Sequence, residues 1–468
     1  MKIKFLVPLL GIILFSCKKP VRYDLIIENA KVFDANTGKV LDDKTILIGA
    51  DTIAGIIDAG EPVRTKKVID ADGRLVTPGY IETHTHLTYA FYKKGKVPER
   101  IQNFIAHFYH KRFSDLFLPY GVTTVMDMGQ PEGWLPKTLS WTESAKRRFF
   151  NVFFSGSALT SSPDMLENNN YVLIENPDSA KQKVINYHNK GISHVYLSLL
   201  YESAFISALK TADSLNMVAY GQVEKPFLSV ERAIQLGLKN FERIHTIPFS
   251  VFDEVYDGNA FKGILDSVYG SRGCKVMDIY YLEKIRYVME NRADKLDDLL
   301  QNIVKSNLSF SFSSHSLAQQ FGETWFRFQD YDSISNLNEE EILRNRENLR
   351  LYMQLLKKIS DNGIKLRIGT DCPDGGKAFL SEQLLLAETG FTISDIIKIS
   401  SVNGAEALGI AKDFGSIDVG KKADLIIYDQ NPFDNYKNFL SKKRVIKSGH
   451  LYRTIKRRPG AMITGNQE

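Results

Sequence analysis

A chain of 468 residues, 43% hydrophobic and 25% charged, has the balance of a globular protein large enough for two domains, or for one barrel with an accessory module. Its net charge of +5 is small for this length, with Lys and Arg scattered rather than massed, so nucleic acid is not an expected partner.

The first residues are a separate object. MKIK gives a basic start, FLVPLLGIILF a short apolar core, and the run ends at Cys17. That core falls short of the roughly 20 apolar residues of a membrane-spanning helix, and its flanks are those of a secretory signal. Cys17 directly after Ser16 resembles the end of a bacterial lipoprotein signal over residues 1–17. The resemblance implies lipidation of Cys17 and an exported protein anchored to a membrane of a bacterial cell envelope. The alternative is a plain cleaved signal peptide. Cys274 and Cys372 then remain, and export permits a disulfide between them without specifying one.

After the tether KKPVRYD, the stretch LIIENAKVFDANTGKVLDDKTILIGADTIAGII reads as several short strands broken by turn-forming residues. A second strand-rich stretch, GSIDVGKKADLIIYDQNPF, begins only at Gly415. Neither could bury a core alone. The expectation is one small β-sandwich built from residues 22–76 and 411–457, with residues 77–410 inserted between them.

The insert alternates apolar strand-like runs with helical ones: VTPGYIETH, GVTTVMDMG, NVFFSGSAL, ISHVYLSL, MVAYGQV, NFERIHT, LSFSFSS and IKLRIGTD. Eight such strands predict an α/β chain folded as a (β/α)8 TIM barrel, with its chemistry at the C-terminal ends of the strands. The connection over residues 247–306 is long and rich in Tyr. It reads equally as a lid over the site or as a peripheral insertion.

In IETHTHLTYA, residues 81–90, His84 and His86 sit at alternate positions of a strand and share a face, so both can point at the barrel axis and hold one ion. His107 and His110, spaced i, i+3 among aromatic residues without an acidic partner, read as a structural pair. His194 and His315 flank strands and carry no site assignment.

VTPGYIETHTHL, GVTTVMDMG, the GTD at 369–371, SVNGAEALGI and GSIDVGKKADLIIYD resemble the amidohydrolase superfamily in order and spacing, over residues 23–452. The likeness is to the branch with imidazolonepropionase-like and prolidase-like members. It implies one or two divalent metals at the barrel mouth, which polarise a carbonyl and make water nucleophilic near neutral pH. On that resemblance His84 and His86 are metal ligands, and Asp371 is a ligand and the catalytic proton shuttle. Three further ligand positions depart from the pattern. Tyr196 stands where a carbamylated lysine is usual, Gln222 where a histidine ends the fifth strand, and Arg243 follows Glu242 where Glu-His is usual.

Arg243 does more than delete a donor, because a guanidinium cannot ligate a cation and repels one at short range. It is expected to pair with Asp371 or Glu242 instead. His245, two residues on, shares its strand face and is a candidate replacement ligand. Tyr196, Gln222, Arg243 and His245 are thus candidate site-lining positions. The expected activity is hydrolysis of a non-peptide or dipeptide-like C–N bond (amide or cyclic amide) in a small-molecule substrate. At most one divalent metal, zinc, is expected on His84, His86 and Asp371, with the Gln222 carbonyl oxygen as a further donor. The alternative is a metal-free, catalytically inactive amidohydrolase-like lipoprotein that binds a ligand or partner.

Overall fold

The structure is a computed structural model that describes residues 22–87, 99–143, 147–270, 277–326, 337–372 and 374–453. Cys17 and Cys274 lie outside the described residues, while Cys372 is a buried free thiol. Among the described residues, no helix is long and apolar enough to cross a membrane.

All eight strand-like runs of the insert form strands: β1 (Tyr80–Thr85), β2 (Val122–Asp127), β3 (Asn151–Phe154), β4 (His194–Ser198), β5 (Val218–Gln222), β6 (Asn240–Phe241), β7 (Ser309–Phe312) and β8 (Lys365–Ile368). Every pairing between them is parallel. They fall into two hydrogen-bonded sheets, β1–β2–β3 and β4 through β8. The second is extended beside β4 by the short strands Ala158–Thr160 and Tyr171–Leu173. The third run therefore splits in two. Gly156 sits at the break with φ +73°, where a side chain would meet the Tyr187 ring at 2.8 Å. β8 meets β1 through single bonds: Thr83 Oγ1 donates to Ile368 O (2.7 Å) and Asp371 N to His84 O (2.8 Å).

The terminal segments share one sheet. Its strands run, in order, His450–Leu451, Lys443–Lys447, Leu425–Tyr428, Leu75–Pro78, Leu25–Asp34, Lys39–Gly49 and Thr52–Asp58, with Val68–Asp70 also beside Leu25–Asp34. The segments join where Leu425 pairs antiparallel with Pro78. Hydrogen bonding thus joins both terminal segments in one module. Each segment hydrogen-bonds the strand edge that the other would otherwise leave open. Alternation along the strands gives the sheet two buried faces. Leu25, Ile27, Val76, Leu425 and Ile427 build a core of their own. Phe33, Leu75, Ile426 and Tyr428 face the other way, into the large core shared with the insert. A buried ion pair fastens the junction. Lys447 Nζ stands 3.1 Å from Asp424 and donates to Asn151 Oδ1 at the start of β3 (3.0 Å).

Candidate metal centre and the cavity beside it

His84 lies near the end of β1, His86 just beyond it, and Asp371 in the turn after β8. All three are largely buried, and their donor atoms lie within 4.8 Å of one another. The Nε2 atoms of the two histidines are 3.3 Å apart, and Asp371 Oδ1 is 3.4 Å from His84 Nε2 and 3.1 Å from His86 Nε2. Donors at bonds of about 2.0–2.1 Å around a tetrahedral ion stand roughly 3.3–3.4 Å apart, so this triangle has the size of one zinc face.

The far side of each ring supports the same orientation. Glu242 Oε2 accepts from His84 Nδ1 at 2.6 Å, and Gly129 O lies 3.4 Å from His86 Nδ1. Both Nε2 atoms thereby face the cluster, the usual arrangement around a ligating histidine. Burial opposes an imidazolium at His84, yet the carboxylates of Glu242 and Asp371 raise its pKa to about 9. Positive charge is therefore welcome at this point.

Glu242 is itself fixed from below. Arg367, fully buried in β8, pairs with it and also donates to Ser309 Oγ (3.1 Å), Thr83 Oγ1 (2.9 Å) and Phe241 O (3.0 Å). Ser311 Oγ donates to Glu242 Oε2. Glu82 Oε1 accepts from His84 N (2.9 Å) and Thr370 N (3.0 Å), which staples β1 to the turn that carries Asp371.

Arg243 takes the first of its two expected partners: its Nη2 is 2.7 Å from Asp371 Oδ2. Burial would raise the Asp371 carboxyl, but Arg243 and the histidines hold it well below the usual carboxylate range. Both residues occupy the left-handed region, Arg243 at φ 65° and Asp371 at φ 56°. Such backbone costs of order 1–3 kcal/mol per residue and persists where surrounding contacts over-determine it.

The other expected donors turn away from the cluster. Gln222 Oε1 accepts from Tyr196 Oη (2.8 Å) and Ser198 Oγ (3.4 Å), so it is not directed at an ion. Tyr196 is fully buried, which pushes its phenol well above the ordinary value and keeps it neutral. His245 lies past the end of β6 at the start of a short helix. Its Nε2 bonds Glu224 Oε1 at 3.1 Å and its ring stacks on Tyr281 at 4.4 Å, so it does not replace the missing ligand. Gln222 Nε2 also donates to Glu224 Oε1 (3.0 Å), so Tyr196, Gln222, Glu224 and His245 form one hydrogen-bonded chain, which Arg243 does not join. His110 stacks between Trp141 and Phe149, as a structural histidine does, and His194 and His315 lie outside the cluster.

A cavity of about 450 Å³ opens beside Arg243. Gln222 lines it from β5 and Arg243 from just past β6, and Phe249, Asp278, Tyr281 and Lys284 from the long connection. That connection, through helix α1 (Met277–Asn291), is therefore a wall of the mouth rather than a peripheral insertion. Sequence reading missed Arg367, Glu82 and Asp278. For the first two the signal was present: a charged side chain inside an otherwise apolar strand requires a buried partner.

Residues 317–451 match the profile of the amidohydrolase family. The imidazolonepropionase of Geobacillus sp. (strain WCH70) is 22% identical over 433 residues, covering 86% of this chain and 84% of that protein. The 5'-deoxyadenosine deaminase of Methanobrevibacter smithii is 22% identical over 447 residues, covering 87% and 83%. Among solved structures, a Xaa-Pro dipeptidase with bound methionine superposes with a TM-score of 0.64 at 17% identity, covering 92% of this chain and all of that one. The chain thus shares the α/β barrel-type fold with an extra domain of that structure, and residues 317–451 carry the amidohydrolase family's sequence pattern.

Proposed function

We propose that this chain is an amidohydrolase-superfamily hydrolase that cleaves a C–N bond, an amide or cyclic amide, in a small-molecule substrate. Its two parallel sheets are read as one (β/α)8 barrel, and it holds at most one divalent ion, zinc. The observation that carries the reading is the triangle of His84, His86 and Asp371, sized for one ion and backed by Glu242. A zinc ion there supplies Lewis acidity and a lowered pKa for bound water. His84 and His86 offer neutral nitrogens, Asp371 offers Oδ1, and Glu242 holds the His84 tautomer. Arg243 occupies the side of Asp371 where a second cation would stand, which limits the site to one.

The rival is a metal-free binding protein. The same Arg243–Asp371 pair supports it, since it already neutralises the ligand carboxylate. Metal content after purification without chelator, and after zinc is supplied at neutral pH, decides between them. One ion per chain, lost in His84→Ala, supports the hydrolase, and none after zinc supply supports the rival.

The basic start, short apolar core and Cys17 support export as a lipid-anchored protein. A mass spectrum showing an acylated Cys17 at the mature N-terminus tests this, and an unmodified terminus further along refutes it.

A further inference from the structure

A C–N hydrolysis needs two separate services from the protein: a place for the attacking water, and a proton for the departing nitrogen. On the hydrolase reading, Asp371 serves the first through Oδ1, which faces the two imidazoles. Its other oxygen is committed. Oδ2 stands 2.7 Å from Arg243 Nη2 as an ion pair, so it is turned to a permanent cation rather than to a substrate nitrogen. A proton donor is therefore missing from the cluster itself.

The wall opposite supplies one. Asp278 is the second residue of α1 and lines the same cavity as Arg243 and Gln222. Gln320, at the end of helix α2 (Ser314–Gln320), donates its side-chain amide to Asp278 Oδ2 and so orients the carboxyl. Its surroundings favour the protonated form more than water does. Arg243 favours the anion and Asp371 opposes it, and burial outweighs both, raising the carboxyl to about 6. Tyr281, one turn along the same helix, stays a neutral phenol. Of the remaining ionic groups on the cavity wall, Lys284 is paired with Glu254, Glu224 with His245, Lys225 donates to Ser250 O (2.8 Å), and Asp164 also lines the wall.

We propose that Asp278 is the general acid of this site and hands its proton to the departing nitrogen. In the balanced step, the water oxygen bonds to the carbonyl carbon and releases one proton to solvent. The C–N bond breaks, its electron pair stays on nitrogen, and that nitrogen takes the Asp278 proton. Asp278 then recovers a proton from solvent through the open mouth. This rests on the hydrolase reading, and it moves the proton delivery from Asp371, where the family resemblance put it, to a helix outside the barrel strands.

The test uses the zinc-loaded full chain and a panel of acyl amides offered in pairs, each acyl group on an aliphatic amine and on 4-nitroaniline. Nitroaniline departs with little need of a proton. Asp278→Asn should lose about 100-fold or more in kcat on the aliphatic amides and less than about tenfold on the nitroanilides, with KM little changed. Asp278→Ala should behave alike, with formate restoring part of the rate on the aliphatic amides. Independently of turnover, the infrared difference between wild type and Asp278→Asn at pH 5 should contain the band of a buried protonated carboxyl. Equal losses on both members of each pair, no loss, or no such band overturns the assignment. A wild-type chain that binds zinc but cleaves none of the panel overturns the hydrolase reading itself, and Asp278 falls with it.

Discussion

Glu242→Gln probes the layer beneath the histidines. In the native chain each carboxylate oxygen accepts: Oε2 from His84 Nδ1 and Ser311, Oε1 from Arg367. A carboxamide has the same shape but only one accepting end, so its NH2 must face either the imidazole or the guanidinium, donor against donor. Arg367 keeps its bonds to Thr83, Phe241 and Ser309 but loses its counter-charge while fully buried. Breaking a buried pair costs about 3–5 kcal/mol. The three surviving hydrogen bonds put the expected loss at the lower end, about 3 kcal/mol, or roughly 1 M or more in the urea midpoint at slopes of 1–3 kcal/mol/M. Loss of the acceptor on His84 should also weaken zinc about 10–100-fold, read by competition with a chromogenic chelator. The double variant Glu242→Gln, Arg367→Met removes both charges and should recover most of the stability but not the zinc affinity. A single variant that loses less than about 1 kcal/mol, or a double variant as unstable as the two singles added, refutes this account.

Elemental analysis of the zinc-supplied protein should give no more than one ion per chain; two tightly held ions would contradict the blocking role of Arg243. The triple change Tyr196→Lys, Gln222→His, Arg243→His should raise that capacity toward two. In Gly369→Ala the new Cβ would stand 2.6 Å from His84 Cβ, so zinc affinity should fall by tenfold or more while far-ultraviolet dichroism is unchanged. His194 is buried against the Leu408 carbonyl, and its pKa falls from the usual 6.5 to about 4. Its folded-state pKa is depressed, so the unfolded chain binds its proton first as pH drops. The stability tied to the neutral ring is present above about pH 6.5 and is lost by pH 4, to the extent of about 3 kcal/mol. His194→Asn should flatten that acid limb in urea titrations, and an unchanged limb would remove His194 from it.

The strand runs of the insert were legible because parallel strands covered on both faces read as continuous apolar runs, and each of the eight formed. The metal triangle was legible for a related reason: H-x-H fixes both side chains on one face, and GTD marks the end of a strand. At Gln222 and His245 the structure shows partners that spacing does not predict. Spacing along a strand says which way a side chain sets out, but not which neighbour captures it. Glu224 captures both, and it lies two residues past the position that sequence comparison singles out. The joining of the two terminal segments is a matter of another kind. Periodicity shows that a strand has buried faces, while which edges pair depends on contacts hundreds of residues apart. Asp278 left no signal at all, because it gains its meaning from a helix crossing the mouth.

The pairing of Leu425 with Pro78, about 350 positions apart, has a consequence for biosynthesis. The edge of Leu75–Pro78 stays open, and Asn151 lacks Asp424 and Lys447, until nearly the whole chain has left the ribosome. Such late, distant contacts slow folding and prolong exposure of unpaired strands. If the proposed export holds, that delay favours threading across a membrane before folding. The segment that locks the two parts together is made only after the whole insert, so early closure is held off by the order of the residues.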